Sequence, residues 1–192
     1  DHIPYEILLP VKDKLHIRVR YPYRMVHSVH PRYRLPWGSG IREEYEKAVE
    51  LDIPFYVHIE EGFIPEIQEE LPMLEKEGGL GPNTLLIHCI GFSKEDIEKT
   101  AKAGASVVWC CYSNFYMYGK TAPIPMFVEK GINVCLGTDS CMSGSDNMFH
   151  ELKFAFEYWS KHWGEPDPLL FFSMVTVNPA RALRLPKLGE VK

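Results

Sequence analysis

The sequence has no hydrophobic stretch long enough to cross a membrane and no excess of positive charge. No apolar run approaches the roughly 20 residues of a membrane-spanning helix, and no charged and then apolar leader opens the chain. Lysine and arginine together number 21 against 26 aspartates and glutamates, so the net charge is −5. A chain without a basic stretch is not expected to bind nucleic acid. We therefore predict neither a membrane nor a nucleic acid as a partner.

The cysteine and glycine patterns argue against two further classes of protein. The five cysteines are an odd number, and four of them lie in or beside predicted strands, which is not typical of a disulfide framework. We therefore expect a reducing compartment, the cytoplasm. No glycine-rich phosphate loop follows any predicted strand, which disfavours a dinucleotide-binding fold.

What is present is a composition typical of one globular domain. With 45% apolar residues, a chain of 192 residues can bury a sizeable core, and we treat residues 1–192 as one domain. Residues 15–20 and 25–30 are candidate strands. Residues 31–40 are predicted to form a loop, and residues 41–51 have a helical pattern.

Four short apolar runs follow, each ending in a polar residue and leading towards a helix-like stretch. The runs cover residues 53–58, 84–88, 106–111 and 133–139, and the helix-like stretches cover residues 64–77, 93–104, 124–130, 147–163 and 169–183. Such repeats predict parallel strands with right-handed crossovers, in an open sheet or a barrel. We favour the barrel, although we count only five or six strands where a complete (β/α)₈ barrel has eight in about 250 residues. The expected fold is therefore α/β, an incomplete (β/α)₈ TIM barrel.

One of these helices has clear start and stop signals. Ser93 and Asp96 have the spacing of a capping box, in which the serine accepts from the free N–H groups of the first turn. Gly104 is suited to the left-handed conformation that often ends a helix. The sequence thus predicts a helix between these residues.

Polar residues at the ends of the strands can meet at one mouth. His58, His88 and Asp139 end predicted parallel strands and are separated by 30 and 51 residues. Side chains at such positions converge in α/β barrels, and two imidazoles with a carboxylate can bind a divalent metal. Glu61 lies three residues after His58, where it can lean over the same pocket and transfer protons.

Each of these residues also has a structural interpretation. His58 can cap its strand beside two solvated glutamates, of which Glu61 rather than Glu60 is the better candidate for chemistry. A strand-end histidine such as His88 is by itself more often structural. Asp139 can be the N-cap of the next helix, although other polar residues lie closer to that helix. A carboxylate that ends a wholly apolar strand is costly to desolvate unless it is paired.

Other residues have two interpretations each. Cys110 and Cys111 are adjacent on a predicted strand and would point to opposite faces, which favours packing over joint chelation. Asn114 can line the mouth as a substrate-binding residue or form a turn. His27 and His30 are three residues apart, so at most one of them faces the pocket.

Taken together, these motifs resemble the amidohydrolase superfamily, in particular its branch of cytosine deaminases, guanine deaminases and triazine hydrolases. The resemblance extends from about residue 27 to the end of the chain. It rests on VHIEE at 57–61, LIHC at 86–89, VWCCYSN at 108–114, LGTDS at 136–140, SDNM at 145–148 and VNPARAL at 177–183. Each motif is modest alone, but their order and spacing are specific.

The resemblance implies a (β/α)₈ barrel with one divalent metal, zinc or iron. It implies His58 and Asp139 as metal ligands, Asp139 also accepting the proton of the attacking water. It implies His88 as a further ligand or as the group that orients the water or the substrate. Glu61 would pass a proton to a ring nitrogen or to the leaving amine. The implied reaction is hydrolytic deamination of a small nitrogen heterocycle such as a purine, a pyrimidine or a triazine.

The resemblance also bears on the number of metals and on substrate binding. Dinuclear members bridge two metals with a carboxylated lysine on the fourth strand. The only lysine in residues 15–57 is Lys47, inside a predicted helix, so a single metal is expected. His30, and the pair Arg32 and Tyr33, lie where deaminase relatives place substrate-binding residues.

The chain departs from the family pattern at both ends. A first-strand His-x-His pair, which supplies two more ligands, is expected before residue 20, but only His2 and His16 lie there and they form no such pair. The chain also stops where relatives return to a small β-sandwich domain. We therefore expect roughly the second half of a barrel. Its exposed apolar face would favour a homo-oligomer or association with the missing half.

Three hypotheses about function follow. In the first, the parent enzyme deaminates a heterocycle and this chain carries half of the site. In the second, the same scaffold hydrolyses an amide ring or a carbon–halogen bond. In the third, which the absent His-x-His pair favours, the chain is a non-catalytic fragment that serves as a binding or assembly module. Ammonia release from a panel of heterocycles would separate the first two, and an inert, metal-free protein would favour the third.

Overall fold

The chain has an α/β fold built on one parallel sheet. The computed structural model describes residues 8–15, 19–34, 39–185 and 187–189. In this part of the chain, five strands lie in the order of the sequence and every neighbouring pair is parallel. The strands are β1 Arg24–Val26, β2 Phe55–Ile59, β3 Thr84–His88, β4 Ser106–Trp109 and β5 Asn133–Leu136. The predicted parallel strand-helix repeat is confirmed.

Helices connect the strands and follow the last one. Those of the described residues are α1 Ile41–Glu50, α2 Glu70–Lys76, α3 Lys94–Ala103, α4 Cys111–Tyr118, α5 Ile124–Glu129, α6 Met148–His162, α7 Pro168–Val175 and α8 Val177–Ala182. Short 3₁₀ helices form at Lys12–Lys14 and Ile67–Glu69. In the part of the chain that the structure describes, no helix has the length and apolar character needed to span a bilayer.

Several stretches differ from the sequence prediction, among them the candidate strand at residues 25–30, which is a three-residue strand at Arg24–Val26. The sequence predicts no helix between the runs at residues 106–111 and 124–130, but helix α4 begins directly after strand β4. Cys110 and Cys111 therefore lie at its start rather than on the strand. The single helix predicted over residues 169–183 is two helices, because the backbone at Thr176 leaves the helical region (φ −125°, ψ −89°). Residues 16–18 of the candidate strand at 15–20 lie outside the described residues. His2 and His16 also lie outside them.

The core shows why the apolar runs form strands. In β2 the side chains of Phe55, Val57 and Ile59 are fully buried, whereas Tyr56 and His58 between them are half-buried. Successive side chains of a strand point to opposite faces. One face of β2 therefore packs into the core, and the other face carries the histidine.

An aromatic cluster joins the last helices to the sheet. The ring of Trp109, at the end of β4, is fully buried. Its centroid lies 6.5 Å from that of Trp159, 5.8 Å from that of Trp163 and 6.3 Å from that of Phe171. Such pairs contribute about 0.5–1.5 kcal/mol each beyond the area they bury. The cluster thus holds helices α6 and α7 against strand β4.

Helix α3 has the boundaries that its sequence predicts. The backbone N–H of Asp96 donates to Ser93 Oγ, and the backbone N–H of Ser93 donates to Asp96 Oδ2 at 2.9 Å. The helix ends at Gly104, which has φ 70°. A side chain would be strained at that φ, which is the reason for a glycine there.

The register of the sheet brings the strand ends to one edge. Ile59 pairs with His88, and Trp109 pairs with Leu136. Because the strands are parallel, the residues that follow each of them emerge on the same side. The turns after β2, β3 and β5 therefore meet at the carboxyl edge of the sheet, as in α/β barrels.

Candidate metal centre

The turns at the carboxyl edge contain left-handed backbone at residues other than glycine. Glu60 has φ 46°, His88 has φ 75°, Cys89 has φ 53° and Asp139 has φ 62°. Side chains rarely adopt this conformation, and it persists only where the surrounding structure enforces it. Such residues concentrate at functional sites, so the backbone itself marks this edge as a candidate site.

Three side chains that can ligate a metal meet at this edge. One donor atom from each of His58, His88 and Asp139 lies within 4.8 Å of the other two. The imidazole centroids of His58 and His88 are 5.2 Å apart. His88 is only 1% exposed, whereas the other two are half-buried. The structure therefore brings together the three residues that the sequence proposes as a metal site.

His88 is held by contacts on both of its ring nitrogens. Its Nδ1 lies 2.8 Å from Oδ1 of Asn114, a fully buried residue of helix α4. Its Nε2 lies 3.5 Å from Oε2 of Glu61. The side chain of Asn114, which the sequence offers as a substrate-binding group or a turn residue, thus contacts His88.

Asp139 receives hydroxyl hydrogen bonds from two serines. Ser113 Oγ, on helix α4, donates to Asp139 Oδ2, and Ser143 Oγ lies 3.3 Å from the same oxygen. Hydrogen bonds of this kind orient a carboxylate ligand and stabilise its charged form. Sequence reasoning missed Ser113. Its position directly before Asn114 is the signal that could have found it.

Glu61 faces the same space as the three donors. Burial raises the pKa of its carboxyl above the ordinary value, and Asp139 adds to the shift while His88 opposes it. The Tyr118 hydroxyl also opposes the shift in the pKa of Glu61. Burial together with the Glu61 charge raises the pKa of Tyr118 to about 12, so it remains a neutral hydrogen-bond donor. A carboxyl with a raised pKa stays protonated over a wider pH range, which suits an acid catalyst.

A pocket of about 290 Å³ opens beside the donors. Its described lining residues include aromatic, apolar and acidic side chains: His27, Ser28, Tyr33, His58, Glu61, Ile64, Ile67, Glu70 and Tyr118. Among these, His27 has its ring centroid 5.7 Å from that of His58. Burial lowers the pKa of His27, which favours the neutral imidazole.

His30 and Arg32 lie on the loop that follows β1 and are not among the described residues that line this pocket. His30 Nδ1 accepts from the backbone N–H of Arg32 at 3.2 Å, and its ring lies 5.5 Å from that of Tyr33. The Arg32 guanidinium lies 5.7 Å from the Tyr33 ring centroid. Of the two histidines after β1, His27 is among the described residues that line the pocket and His30 is not.

The neighbouring glutamates Glu60 and Glu61 have different environments. Glu60 is fully buried beneath the turn, where its Oε1 accepts from the backbone N–H of Leu71 at 3.3 Å. Burial, with the Asp96 carboxylate nearby, raises the pKa of Glu60 to about 8. Glu61 is the one of the pair that lines the pocket, in agreement with the choice made from the sequence.

Two buried carboxylates to which the sequence assigned no role support the site. Glu70 accepts hydrogen bonds from the turns after β1 and β2. Glu151, on helix α6, accepts from the backbone N–H of Tyr112 at 3.2 Å, in the first turn of helix α4. A carboxylate there interacts favourably with the positive end of the helix. Glu151 therefore positions the helix that presents Ser113 and Asn114.

The cysteines have the environment of packed residues. All five are free thiols, and only Cys141 is exposed. Burial raises the pKa of Cys110 and Cys111 well above that of an ordinary thiol. A thiol with a raised pKa is a poor nucleophile and a poor metal ligand. This agrees with the packing role predicted for the pair.

Comparison with known sequences finds a matching hydrolase family and several similar proteins. The profile of the amidohydrolase family matches residues 38–192. The 5'-deoxyadenosine deaminase of Methanosarcina barkeri is 38% identical over 115 residues, which cover 58% of this chain and 27% of that protein. The 5-methylthioadenosine/S-adenosylhomocysteine deaminase of Syntrophobacter fumaroxidans is 29% identical over 152 residues, which cover 72% of this chain and 34% of that protein. The chain thus spans about a third of the length of these relatives.

Solved structures show the same fold at lower identity. An adenosine deaminase from Xanthomonas campestris with bound zinc superposes with a TM-score of 0.78 at 22% identity, over 88% of this chain and 40% of that one. A triazine hydrolase from Arthrobacter aurescens has a TM-score of 0.72 at 19% identity, over 99% and 45%. An Escherichia coli guanine deaminase has a TM-score of 0.70 at 19% identity, over 97% and 45%. The parallel sheet with its helices therefore has the fold of the corresponding part of these three structures.

Proposed function

The chain belongs to the amidohydrolase family, and on this basis we propose that it supplies metal-binding and proton-transfer residues for hydrolytic deamination of a nitrogen heterocycle. The observation that supports this most directly is the convergence of His58, His88 and Asp139 within 4.8 Å. The similar curated proteins are deaminases. Because the chain spans only a part of those proteins, the activity of the whole enzyme is included in the proposal.

The donor set fits one divalent metal, with zinc as the first choice and iron as the alternative. Two imidazoles and a carboxylate are ligands that zinc accepts, and a catalytic zinc site keeps a position open for water. A bound zinc would supply a Lewis acid that lowers the pKa of water towards about 7. A second metal would need a carboxylated lysine as a bridge. The one candidate lysine, Lys47, has its Nζ 3.5 Å from Ser39 Oγ on the exposed side of helix α1. This supports a single metal.

Each residue at the mouth has a distinct proposed role. His58 and Asp139 hold the metal, and Asp139 also takes the proton of the attacking water. His88 completes the ligand set or orients the water through its Nε2. Glu61, whose pKa is raised by burial, would pass a proton to the ring nitrogen or the leaving amine.

The pocket supports a flat heterocycle as the substrate. Its volume of about 290 Å³ is at the small end of ligand pockets, which suits a single ring system, and the rings of Tyr33 and Tyr118 border it. An adenine-type ring is the first candidate, because the similar proteins are named for adenine compounds. Substrate binding by His30, Arg32 and Asn114 stays a prediction.

We further propose that residues outside this sequence, from the rest of the enzyme or from another chain, complete the site. The described residues supply five strands in an open row, whereas a closed barrel has eight. Residues 1–192 would then be a partial barrel domain, completed by the rest of the enzyme or by association with another chain. The cytoplasm remains the expected compartment, since the free thiols suit a reducing environment.

The test measures metal content and ammonia release together. Zinc stoichiometry is determined by mass spectrometry for the full-length product of the gene and for residues 1–192 alone. Ammonia is measured with adenosine, guanine, cytosine and an amino-triazine. We expect one zinc per full-length chain, ammonia release from one substrate class, and weaker zinc binding by residues 1–192 alone.

A matched pair of variants tests the role of Glu61. Glu61→Gln should retain zinc and lower turnover by about 10²–10⁴-fold, the usual contribution of a positioned acid or base. Glu66→Gln, at an exposed position five residues away, should leave zinc content and turnover unchanged. Release of chloride from a halogenated triazine without ammonia release would favour the hydrolase alternative. A full-length protein that binds no metal and releases nothing would favour the non-catalytic alternative and contradict the proposal.

A further inference from the structure

The hydroxyl of Thr121, in the segment between helices α4 and α5, contacts two side chains. Trp109 Nε1 donates to Thr121 Oγ1 at 2.6 Å. Asn114 Nδ2 lies 3.2 Å from the same oxygen. Sequence reasoning assigned no role to this threonine.

These contacts occupy both lone pairs of the hydroxyl oxygen. A hydroxyl has one proton to donate and two lone pairs that accept. The indole N–H of Trp109 can only donate, so it occupies one lone pair. The NH₂ group of Asn114 donates to the other lone pair.

The orientation of the Asn114 amide determines which nitrogen of His88 carries a proton. With its NH₂ group on Thr121, Asn114 presents Oδ1 to His88 Nδ1 at 2.8 Å. An amide oxygen can only accept, so the proton of the neutral imidazole lies on Nδ1. The lone pair of Nε2 then faces the mouth, where Glu61 Oε2 lies 3.5 Å away.

We propose that Thr121 and Trp109 are positioning residues that fix His88 in the Nδ1–H tautomer and so keep Nε2 available as a ligand. The inference deepens the proposed function, on which the role of Nε2 depends. Thr121 acts through Asn114 and need not touch substrate or metal. With the amide reversed, the NH₂ group of Asn114 would face Nδ1, the ring proton would move to Nε2, and that nitrogen could no longer ligate.

The core of the protein anchors this series of contacts. Trp109 is fully buried, and the rings of Trp159, Trp163 and Phe171 lie 5.8–6.5 Å from its own. An indole packed in this way cannot rotate without displacing its neighbours. Its N–H is therefore a rigid reference from which the orientation of Thr121 and then of Asn114 follows.

The test reads the tautomer of His88 directly in the metal-free chain. Long-range ¹H–¹⁵N NMR distinguishes the two neutral tautomers by the shifts of the ring nitrogens, and His88→Asn identifies the signals. We expect the Nδ1–H form in the wild-type protein. Thr121→Val, which keeps the shape but loses the hydroxyl, should give a substantial fraction of the Nε2–H form. Thr121→Ser should restore the Nδ1–H form.

A matched control separates this effect from loss of a hydroxyl in general. Thr100 is a buried threonine whose Oγ1 donates to the backbone oxygen of Asp96 at 2.8 Å, on helix α3. Thr100→Val should leave the tautomer of His88 unchanged. In zinc titrations, Thr121→Val should bind about 10-fold more weakly, as outer-shell changes usually do, with Thr121→Ser and Thr100→Val close to wild type.

Two results would overturn the inference. One is the Nε2–H form in the wild-type protein, which needs no variant to fold. The other is an unchanged Nδ1–H form in a folded Thr121→Val protein. Because the tautomer is read without metal or substrate, it tests the inference even if the chain proves not to bind zinc, a result that would count against the proposed function instead.

Discussion

The backbone N–H of Glu60 donates to Oε2 of Glu70 at 2.7 Å, which ties the end of strand β2 to the start of helix α2. The other oxygen of Glu70 accepts from Ser28 Oγ at 2.5 Å and from the backbone N–H of His30 at 2.8 Å. Glu70 is only 2% exposed. One buried carboxylate therefore joins the turns after β1 and β2, both of which border the pocket.

Replacing this carboxylate should destabilise the protein and loosen the site. Glu70→Ala removes the acceptor of three hydrogen bonds, and we expect the free energy of unfolding to fall by about 3 kcal/mol, since each buried bond lost costs about 1 kcal/mol. Urea denaturation measures the change. Glu69→Ala, at the exposed neighbour, should stay within about 0.5 kcal/mol of wild type. Equal stability of the two variants would contradict the role given to Glu70.

The buried carboxyl of Glu60 should make stability depend on pH. Its pKa is raised from 4.5 to about 8, first by burial and then by the Asp96 carboxylate. The folded state keeps a proton that the unfolded chain has already released, so the stability this group contributes is fully present below 4.5. It is lost as the pH rises through about 8. Stability should therefore decline across this range.

Glu60→Gln tests this dependence. The amide does not titrate, so the decline in unfolding free energy between about pH 5 and about pH 8.5 should become shallower than in wild type. Glu46→Gln, an exposed change on helix α1, is the control and should keep the wild-type decline. Identical pH profiles for wild type and Glu60→Gln would show that Glu60 is ionised throughout.

Removing the charge of Asp139 should abolish tight metal binding while preserving the fold. Asparagine tolerates left-handed backbone better than most residues, so Asp139→Asn should adopt the φ of 62° found here. Loss of a ligand should weaken zinc binding by more than the roughly 10–100-fold that outer-shell changes cost. Competition with a chelating dye measures the affinity. Asp146→Asn, at an exposed nearby carboxylate, should bind zinc as wild type does, and equal affinities would exclude Asp139 as a ligand.

Replacing one serine should lower zinc affinity, and replacing another should lower stability. Ser113→Ala removes a hydrogen bond to Asp139, and we expect about 10-fold weaker zinc binding with little change in melting temperature. Ser93→Ala removes the N-cap of helix α3, and we expect about 1 kcal/mol less stability with unchanged zinc affinity. Calorimetry and zinc titration on the same samples provide both values. Loss of zinc affinity in Ser93→Ala alone would contradict this division.

Some of the structure could be read from local patterns. Strand β3 has the predicted bounds at residues 84–88, and helix α3 has its predicted caps at Ser93 and Gly104. Helix α4 was missed, because its aromatic residues carry no clear helical period. Its rings pack instead against helix α6, where the Tyr112 and Phe154 centroids are 5.1 Å apart. That packing is not visible within a short window of sequence.

The same limit applies to the residues around the site. His58, His88 and Asp139 could be selected because each ends an apolar run, and parallel strands bring such ends to one edge. Glu70 could not, since it lies on the first turn of helix α2 and reaches back to residues 28–30 and 60. Likewise, the sequence alone did not decide whether His27 or His30 faces the pocket.

The amino-acid order alone determined the strand-helix rhythm and the kinds of side chain at the strand ends, because burial and hydrogen-bonding needs repeat with the period of each element. Only the folded chain decided which nitrogen of His88 faces the mouth, which hydroxyls orient Asp139 and which carboxylate joins the turns. Those choices depend on contacts between residues 7 to 42 positions apart. Their distances and directions are set by packing of the whole domain.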